Sequence, residues 1–346
     1  MNDKVKNILV TGGGGFLGKA IVRQLRRRNH RVASFSRQTY PELDRLGVKQ
    51  HIGDIADAQA VADAVAGRDA IFHVAGKAGV WGAYESFYRT NVIGTRNVID
   101  ACRTCGVSML IYTSSPSVVF DGTDMQGVDE SAPYPTQYHT AYPQTKAIAE
   151  QAVLAAANAK LKTVALRPHL IWGPEDNHLV PRIIARANRL RQVGNGGNRV
   201  DTIFVENAAR AHLLAMEALE KKSGISGRAY FISDDAPIPL WDMVNRILDA
   251  GGKPPVRRTI SPAVAYGIGA ILEWSYRAFR ISKEPQMTRF LARELATAHW
   301  FDITAAKRDL GYEAEVSIDE GMLRLKNWLA ESALTSTPKS DKRDLK

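Results

Sequence analysis

Cysteine is nearly absent, with two residues in 346. A chain this poor in cysteine is not stapled by disulfides. With no secretory leader at its start, it is expected in a reducing compartment, the cytoplasm. Long hydrophobic runs are lacking as well. The first apolar stretch, Val5 to Val10, is too short for a signal segment and runs straight into glycines. No predominantly apolar stretch reaches about 18 residues, so no transmembrane helix is expected. Basic stretches interleaved with aromatics are missing too, which argues against nucleic acid as a partner. None of the eight histidines pairs with another at metal-ligand spacing. Cys102 and Cys105 share a helix face but have no further ligands beside them. They read as buried thiols, and no metal is expected.

What is present is ordinary globular composition, 45% apolar and 24% charged. At about 150 residues per domain, the length suits two units or one large one. The net charge of +10 suits an anionic cofactor or a membrane surface as well as nucleic acid. Two basic groups, one running from Arg23 to Arg31 and one from Arg182 to Arg191, have helix-like spacing and read as solvated helix faces.

The first half alternates. Strands are expected at 5–11, 31–36, 49–52, 69–75, 107–114 and 162–167. Helices are expected at 16–29, 57–66, 84–105 and 140–157. This predicts an α/β fold, a Rossmann-type doubly wound parallel sheet, with ligands at the carboxyl ends of its strands. After Pro168 the pattern becomes irregular. We read 1–168 as a dinucleotide-binding domain carrying the catalytic residues. Residues 169–330 read as a smaller, mainly helical substrate-side subdomain interleaved with the last sheet strands. Residues 331–346 read as a disordered tail.

Gly12, Gly15 and Gly18 follow the first strand and open the first helix. The turn needs backbone angles open to glycine, and the main chain must approach a pyrophosphate. The amides at Phe16 and Leu17 then face the phosphates at a helix N-terminus. The second strand ends Ser34-Phe35-Ser36-Arg37, without the acid that usually holds a ribose 2′-hydroxyl. Arg37 can instead grip a 2′-phosphate, with Ser36 adding a bond, so the cofactor is expected to be NADP(H).

Tyr142 and Lys146 stand one helical turn apart on one face. Ser115 follows the end of a central strand. A phenol of pKa about 10 needs a nearby ammonium to work near neutrality. Tyr142 is therefore the expected proton donor, Lys146 its tuning group, and Ser115 the holder of the reacting oxygen.

These residues, with Gly53-Asp54, Phe72-His73-Val74-Ala75, Asn91-Val92-Ile93-Gly94-Thr95 and Arg167-Pro168, resemble the extended short-chain dehydrogenase/reductase family over about 5–330. The branch is that of the 3β-hydroxysteroid dehydrogenases. The runs from Gly76 to Gly82, Tyr112 to Val118, Ala165 to Pro174 and Thr288 to Ala292 resemble, within it, the bacterial 2-alkyl-3-oxoalkanoate reductases of olefinic hydrocarbon biosynthesis. That resemblance implies several roles. Asp54 and Ile55 would meet the adenine, Ala75 and Gly76 would line the adenosine side, and Pro168 would border the nicotinamide. Asn91 would sit beside the catalytic helix. The substrate would be an apolar long-chain 3-keto acid, and the assembly a homodimer through the helices of Asn91 and Tyr142. Partners would be a thiolase and a β-lactone-forming enzyme of the same pathway. Alternatives are a 3β-hydroxysteroid or carboxysterol dehydrogenase and, in another class, a non-catalytic NADP-sensing regulator. Intact Ser115, Tyr142 and Lys146 count against the regulator. Val118-Val119-Phe120 replaces the Tyr-Gly that many family members carry, which counts against a sugar-nucleotide substrate.

Lys77 is a candidate partner for a substrate carboxylate, Trp81 a candidate pocket wall, and His169 a candidate substrate neighbour. Residues 259–272 carry no charge, and Trp274, Tyr276, Phe279, Phe290, Trp300 and Phe301 follow. This stretch is expected to form a lid over alkyl chains. The flanking arginines also suit peripheral contact with the inner face of the membrane.

Overall fold

Short β-branched and apolar runs separated by helices give seven parallel strands in one sheet. The order is Arg228–Ile232, Lys162–Pro168, Met109–Thr113, Ala70–His73, Asn7–Thr11, Arg31–Ser36 and Lys49–Ile52. The computed structural model describes residues 5–221 and 223–336. The chain works outward from Asn7–Thr11 to Lys49–Ile52, then crosses back to Ala70–His73. That reversal opens a crevice at the carboxyl ends of two neighbouring strands, where Thr11 pairs with His73.

Alternation along each strand feeds two cores. Ile8, Val10, Phe72 and Ile111 pack with Leu17, Ile21 and Leu213 on one face. Leu9, Ile71 and Leu110 pack with Val61, Val98 and Val153 on the other. Both faces are therefore dry, as a parallel sheet requires. The helices concerned are Phe16–Arg27 and Val205–Lys221 on one side. Ala58–Val65, Gly94–Thr104 and Ala141–Ala155 cover the other.

Several elements differ from the sequence reading. The strand Arg228–Ile232, whose bounds the sequence does not reveal, lies in the part expected to interleave with the last sheet strands and completes the main sheet, pairing with Lys162–Pro168. The helix expected over 84–105 is continuous to Thr104, but Tyr88–Ile93 is a π-helical stretch. A short helix at Pro41–Arg45 was not expected, nor was the strand Met125–Val128. That strand joins a small second sheet with His299–Phe301, Arg199–Val200 and Ile238–Pro239. Of the tail expected to be disordered, 331–336 continues the helix Ile318–Ser336, and 337–346 lies outside the described residues. Among the described residues no helix is long and apolar enough to cross a membrane.

The helix Pro262–Ala278 turns only Ala265, Gly269 and Glu273 inward. Gly269 permits this, since a Cβ there would stand 2.6 Å from the Thr288 carbonyl carbon. The expected lid is corrected on this point. Trp274 and Phe279 are 70% and 75% exposed and, unlike Tyr276 and Phe290, do not line the cavity of about 1020 Å³.

Candidate active site

Gly12 has φ of +71°, and a Cβ there would lie 2.9 Å from the Ala75 amide. A Cβ at Gly18 would lie 2.1 Å from the Gly12 carbonyl oxygen. Only glycine lets the turn, the fourth strand and the first helix close together. Gly15 caps that helix without a side-chain bond, and no acid occupies the first turn. Its first amides, at Phe16 and Leu17, are thus open to an anion. Ser36 ends the second strand with exposed Arg37 beside it. Asp54 accepts from the Ala56 amide and from Arg89 Nη2, both at 2.9 Å. These bonds, Ala56 first, hold its carboxyl below the usual range, and Arg37 adds to the effect through space. Ile55 is buried against Gly94, where a Cβ would stand 2.6 Å from its side chain. The residues present fit a dinucleotide along this edge.

The strand Met109–Thr113 delivers Ser115 to the same edge. Its hydroxyl accepts from the Ser117 amide at 3.2 Å and caps the turn Pro116–Val119. Tyr142 and Lys146 project from the helix Ala141–Ala155. Burial raises the Tyr142 phenol above its ordinary pKa, while a hydrogen bond with Ser115 opposes this. The sequence reading had Lys146 lowering the phenol. Instead burial governs Tyr142, and it also pulls Lys146 itself down to about 7, against the opposing pull of Glu150. Lys146 Nζ donates to the Thr113 carbonyl at 2.6 Å and stands 4.2 Å above the Tyr112 ring.

Three supports fix this geometry. Asn91 donates to Thr145 Oγ1 at 3.0 Å and accepts from the Lys77 amide at 2.7 Å. His73 bridges Thr11 Oγ1 at 2.8 Å and Thr95 Oγ1 at 2.9 Å. Burial lowers its pKa to about 3, so this bridge is neutral. Arg167 donates from Nε and Nη2 to Glu150, one turn past Lys146, with Nη2 to Oε1 at 2.6 Å. A buried pair of this kind sets geometry more than stability.

A cavity of about 1020 Å³ is lined by Thr140, Ala141 and Gln144 on either side of Tyr142 in the chain, while Tyr142, Ser115 and Lys146 are not themselves among its lining residues. Lys77 and Trp81 line it. Lys77 Nζ donates to Ser86 Oγ at 2.7 Å. The Trp81 ring meets Tyr276 edge-on at 6.2 Å. His169 is not among the lining residues. Its ring packs edge-on against His299 and Phe301, at 5.7 and 5.5 Å. Ala75 donates its amide to Thr11 Oγ1 at 3.2 Å, and a Cβ on Gly76 would stand 3.9 Å from Lys146 Nζ. Pro168 ends its strand, buried, at the same edge.

Two residues escaped the sequence reading of the site. Arg293 lines the cavity, with Nη1 2.8 Å from His139 Nε2, and has no carboxylate partner among the described residues. Glu294 acts electrostatically on Tyr142, and burial pushes its carboxyl up to about 7. Their only sequence signal was a helical face shared with Phe290. A second depression, about 760 Å³ and lined by Asp242, Arg246 and Lys326, holds none of these groups. Cys102 is a buried free thiol, raised to about 12 by burial and by Cys105.

A glycine turn at a sheet switch point, with serine, tyrosine and lysine converging beside it, defines a dinucleotide-dependent oxidoreductase. The chain belongs to the 3-beta hydroxysteroid dehydrogenase/isomerase family, whose model matches residues 9–260. The chain is 54% identical to 2-alkyl-3-oxoalkanoate reductase of Stenotrophomonas maltophilia, covering 92% of this chain and 98% of that one. It is 37% identical to the decarboxylating sterol-4-alpha-carboxylate 3-dehydrogenase of Mus musculus, covering 93% and 90%. The solved structure of gox2253 superposes with a TM-score of 0.76 at 26% identity, covering 94% and 98%. That of MoeE5 with UDP-glucose and NAD superposes with 0.73 at 23%, covering 94% and 99%.

Proposed function

We propose that the protein reduces the ketone of a 2-alkyl-3-oxoalkanoic acid to the 3-hydroxy acid, using NADPH. The observation that carries this reading is the cavity lined by Thr140, Ala141 and Gln144, the chain neighbours of Tyr142. It combines the cations Lys77 and Arg293 with the apolar walls Trp81, Tyr276 and Phe290. The names of the two relatives share one chemical unit, a carboxylate on the carbon next to the one oxidised or reduced. A β-keto acid of that kind needs a cation for its carboxylate and apolar surface for its alkyl groups. The more distant identity to the sterol enzyme favours the open-chain acid.

The hydride for the carbonyl carbon would come from NADPH held along the glycine turn at 12–18. The phenol of Tyr142 gives its proton to the developing alkoxide. Its raised pKa keeps that proton in place near neutrality. Ser115 holds the reacting oxygen. Lys146, fixed by the Thr113 carbonyl, holds positive charge beside the reacting centre. Arg37 and Ser36 would select the 2′-phosphate.

Reduction stabilises the acid, because a β-hydroxy acid lacks the ketone that drains electrons during decarboxylation. Its place is in long-chain olefin biosynthesis, in the cytoplasm. A thiolase-type condensation would supply the keto acid, and a β-lactone-forming enzyme would consume the product. A homodimer through the helices bearing Asn91 and Tyr142 is part of this reading. The test is NADPH consumption against 2-alkyl-3-keto acids, ketosteroids, carboxysterols and nucleotide sugars. Preference for the branched keto acids supports the reading, and preference for a sterol or a sugar nucleotide overturns it.

A further inference from the structure

Val264, Ile268, Ile271 and Trp274 form one stripe on the helix Pro262–Ala278, and each is between 42% and 70% exposed. Phe279 and Ile281 extend the stripe past the helix end. Twelve large hydrophobic residues are exposed among the described residues, and seven of them fall between 264 and 281. Apolar side chains scattered singly are normal, but a continuous strip marks a contact surface. The opposite face of the helix is already used, packed on the helix Arg289–Ala296.

Charge separates the possible occupants. Between 251 and 283 the sequence has six basic residues and one acid. That acid, Glu273, is buried and takes two hydrogen bonds from the Arg289 side chain. Exposed Lys253, Arg257 and Arg258 precede the helix, and exposed Arg277, Arg280 and Lys283 follow its apolar part. A second copy pairing through this strip would bring like charges together, which opposes that pairing. An anionic lipid surface meets both features, taking the strip among acyl chains and the cations at its headgroups.

The cavity continues this surface. Tyr276, Arg277 and Ile281 line it from the inner edge of the same segment. Trp81 Nε1 donates to the Ile281 carbonyl at 3.4 Å. The mouth therefore opens where the strip ends.

We propose that the helix Pro262–Ala278 and the residues up to 283 dock flat on the headgroup region of an anionic membrane, with the cavity mouth at the lipid interface. This does not depend on the substrate assigned above, because docking is measured without substrate.

The experiment is co-sedimentation of the full chain with vesicles of phosphatidylcholine alone and of phosphatidylcholine mixed with phosphatidylglycerol. The protein should pellet with the mixed vesicles and be released by high salt. Ile271→Gln with Trp274→Gln should weaken this binding more than tenfold at an unchanged melting temperature, since neither side chain supports the core. Lys253→Gln with Lys283→Gln should weaken it by about fivefold per charge. A parent protein that stays in the supernatant with mixed vesicles, or an apolar double variant that binds like the parent, overturns the proposal. Light scattering without lipid supplies the remaining arm. Self-association of the parent that Ile271→Gln with Trp274→Gln abolishes would assign the strip to a second copy and overturn membrane docking.

Discussion

Asn91 and Thr145 meet at 3.0 Å, tying the π-helical turn of one helix to the helix that carries Tyr142 and Lys146. The same Asn91 holds both the amide and the carbonyl of Lys77, at 2.7 and 3.0 Å. One buried side chain thus sets the catalytic helix against the loop that lines the cavity. Asn91→Ala should remove these three hydrogen bonds, at a cost of about 0.5–1.5 kcal/mol each. We expect a lower melting temperature and a kcat reduced more than tenfold, with cofactor affinity nearly unchanged. Parent-like turnover would show that Asn91 positions nothing.

Cofactor choice should rest on Arg37. The parent should prefer NADPH to NADH. Arg37→Ala should remove a charge-assisted bond worth about 1.5–3 kcal/mol, raising KM for NADPH ten- to a hundredfold. KM for NADH should barely move. Equal efficiency with both cofactors in the parent would contradict this.

Arg293 should recognise the carboxylate. Arg293→Ala should raise KM for a branched 3-keto acid at least tenfold, because the anion loses its charged partner. A ketone of the same length without the carboxyl should be affected far less. An equal loss on both would make Arg293 a structural element of the cavity.

Two groups with pKa values of about 7 set the pH dependence, Lys146 lowered by burial and Glu294 raised by it. As pH rises through about 7, Lys146 loses positive charge and Glu294 gains negative charge. Both changes disfavour an anionic substrate. The kcat/KM for the keto acid should therefore fall between about pH 6 and 8. Glu294→Gln should flatten part of that fall. A profile that rises over this range would contradict the assignment.

The glycine turn and the Tyr142–Lys146 pair were legible because each is local, with its chemistry and spacing inside a few residues of one element. The main sheet was legible because its strands are apolar runs at regular spacing. Arg293 and His139 are 154 residues apart and meet only through the tertiary fold. The second sheet was hidden for a related reason. Its members span two to four residues, too short for a periodic signal, and are held by pairing such as His299 with Met125. The lid expectation recognised an apolar helix correctly. Composition did not reveal which face Gly269 would press inward.

The most direct measurement compares parent and Tyr142→Phe for NADPH oxidation with a 2-alkyl-3-keto acid, alongside cofactor binding by fluorescence. The ring still packs, but no phenolic proton remains to meet the alkoxide. Turnover should fall by about a hundredfold or more while NADPH still binds. Turnover by Tyr142→Phe close to that of the parent would contradict proton transfer from this residue and the mechanism built on it.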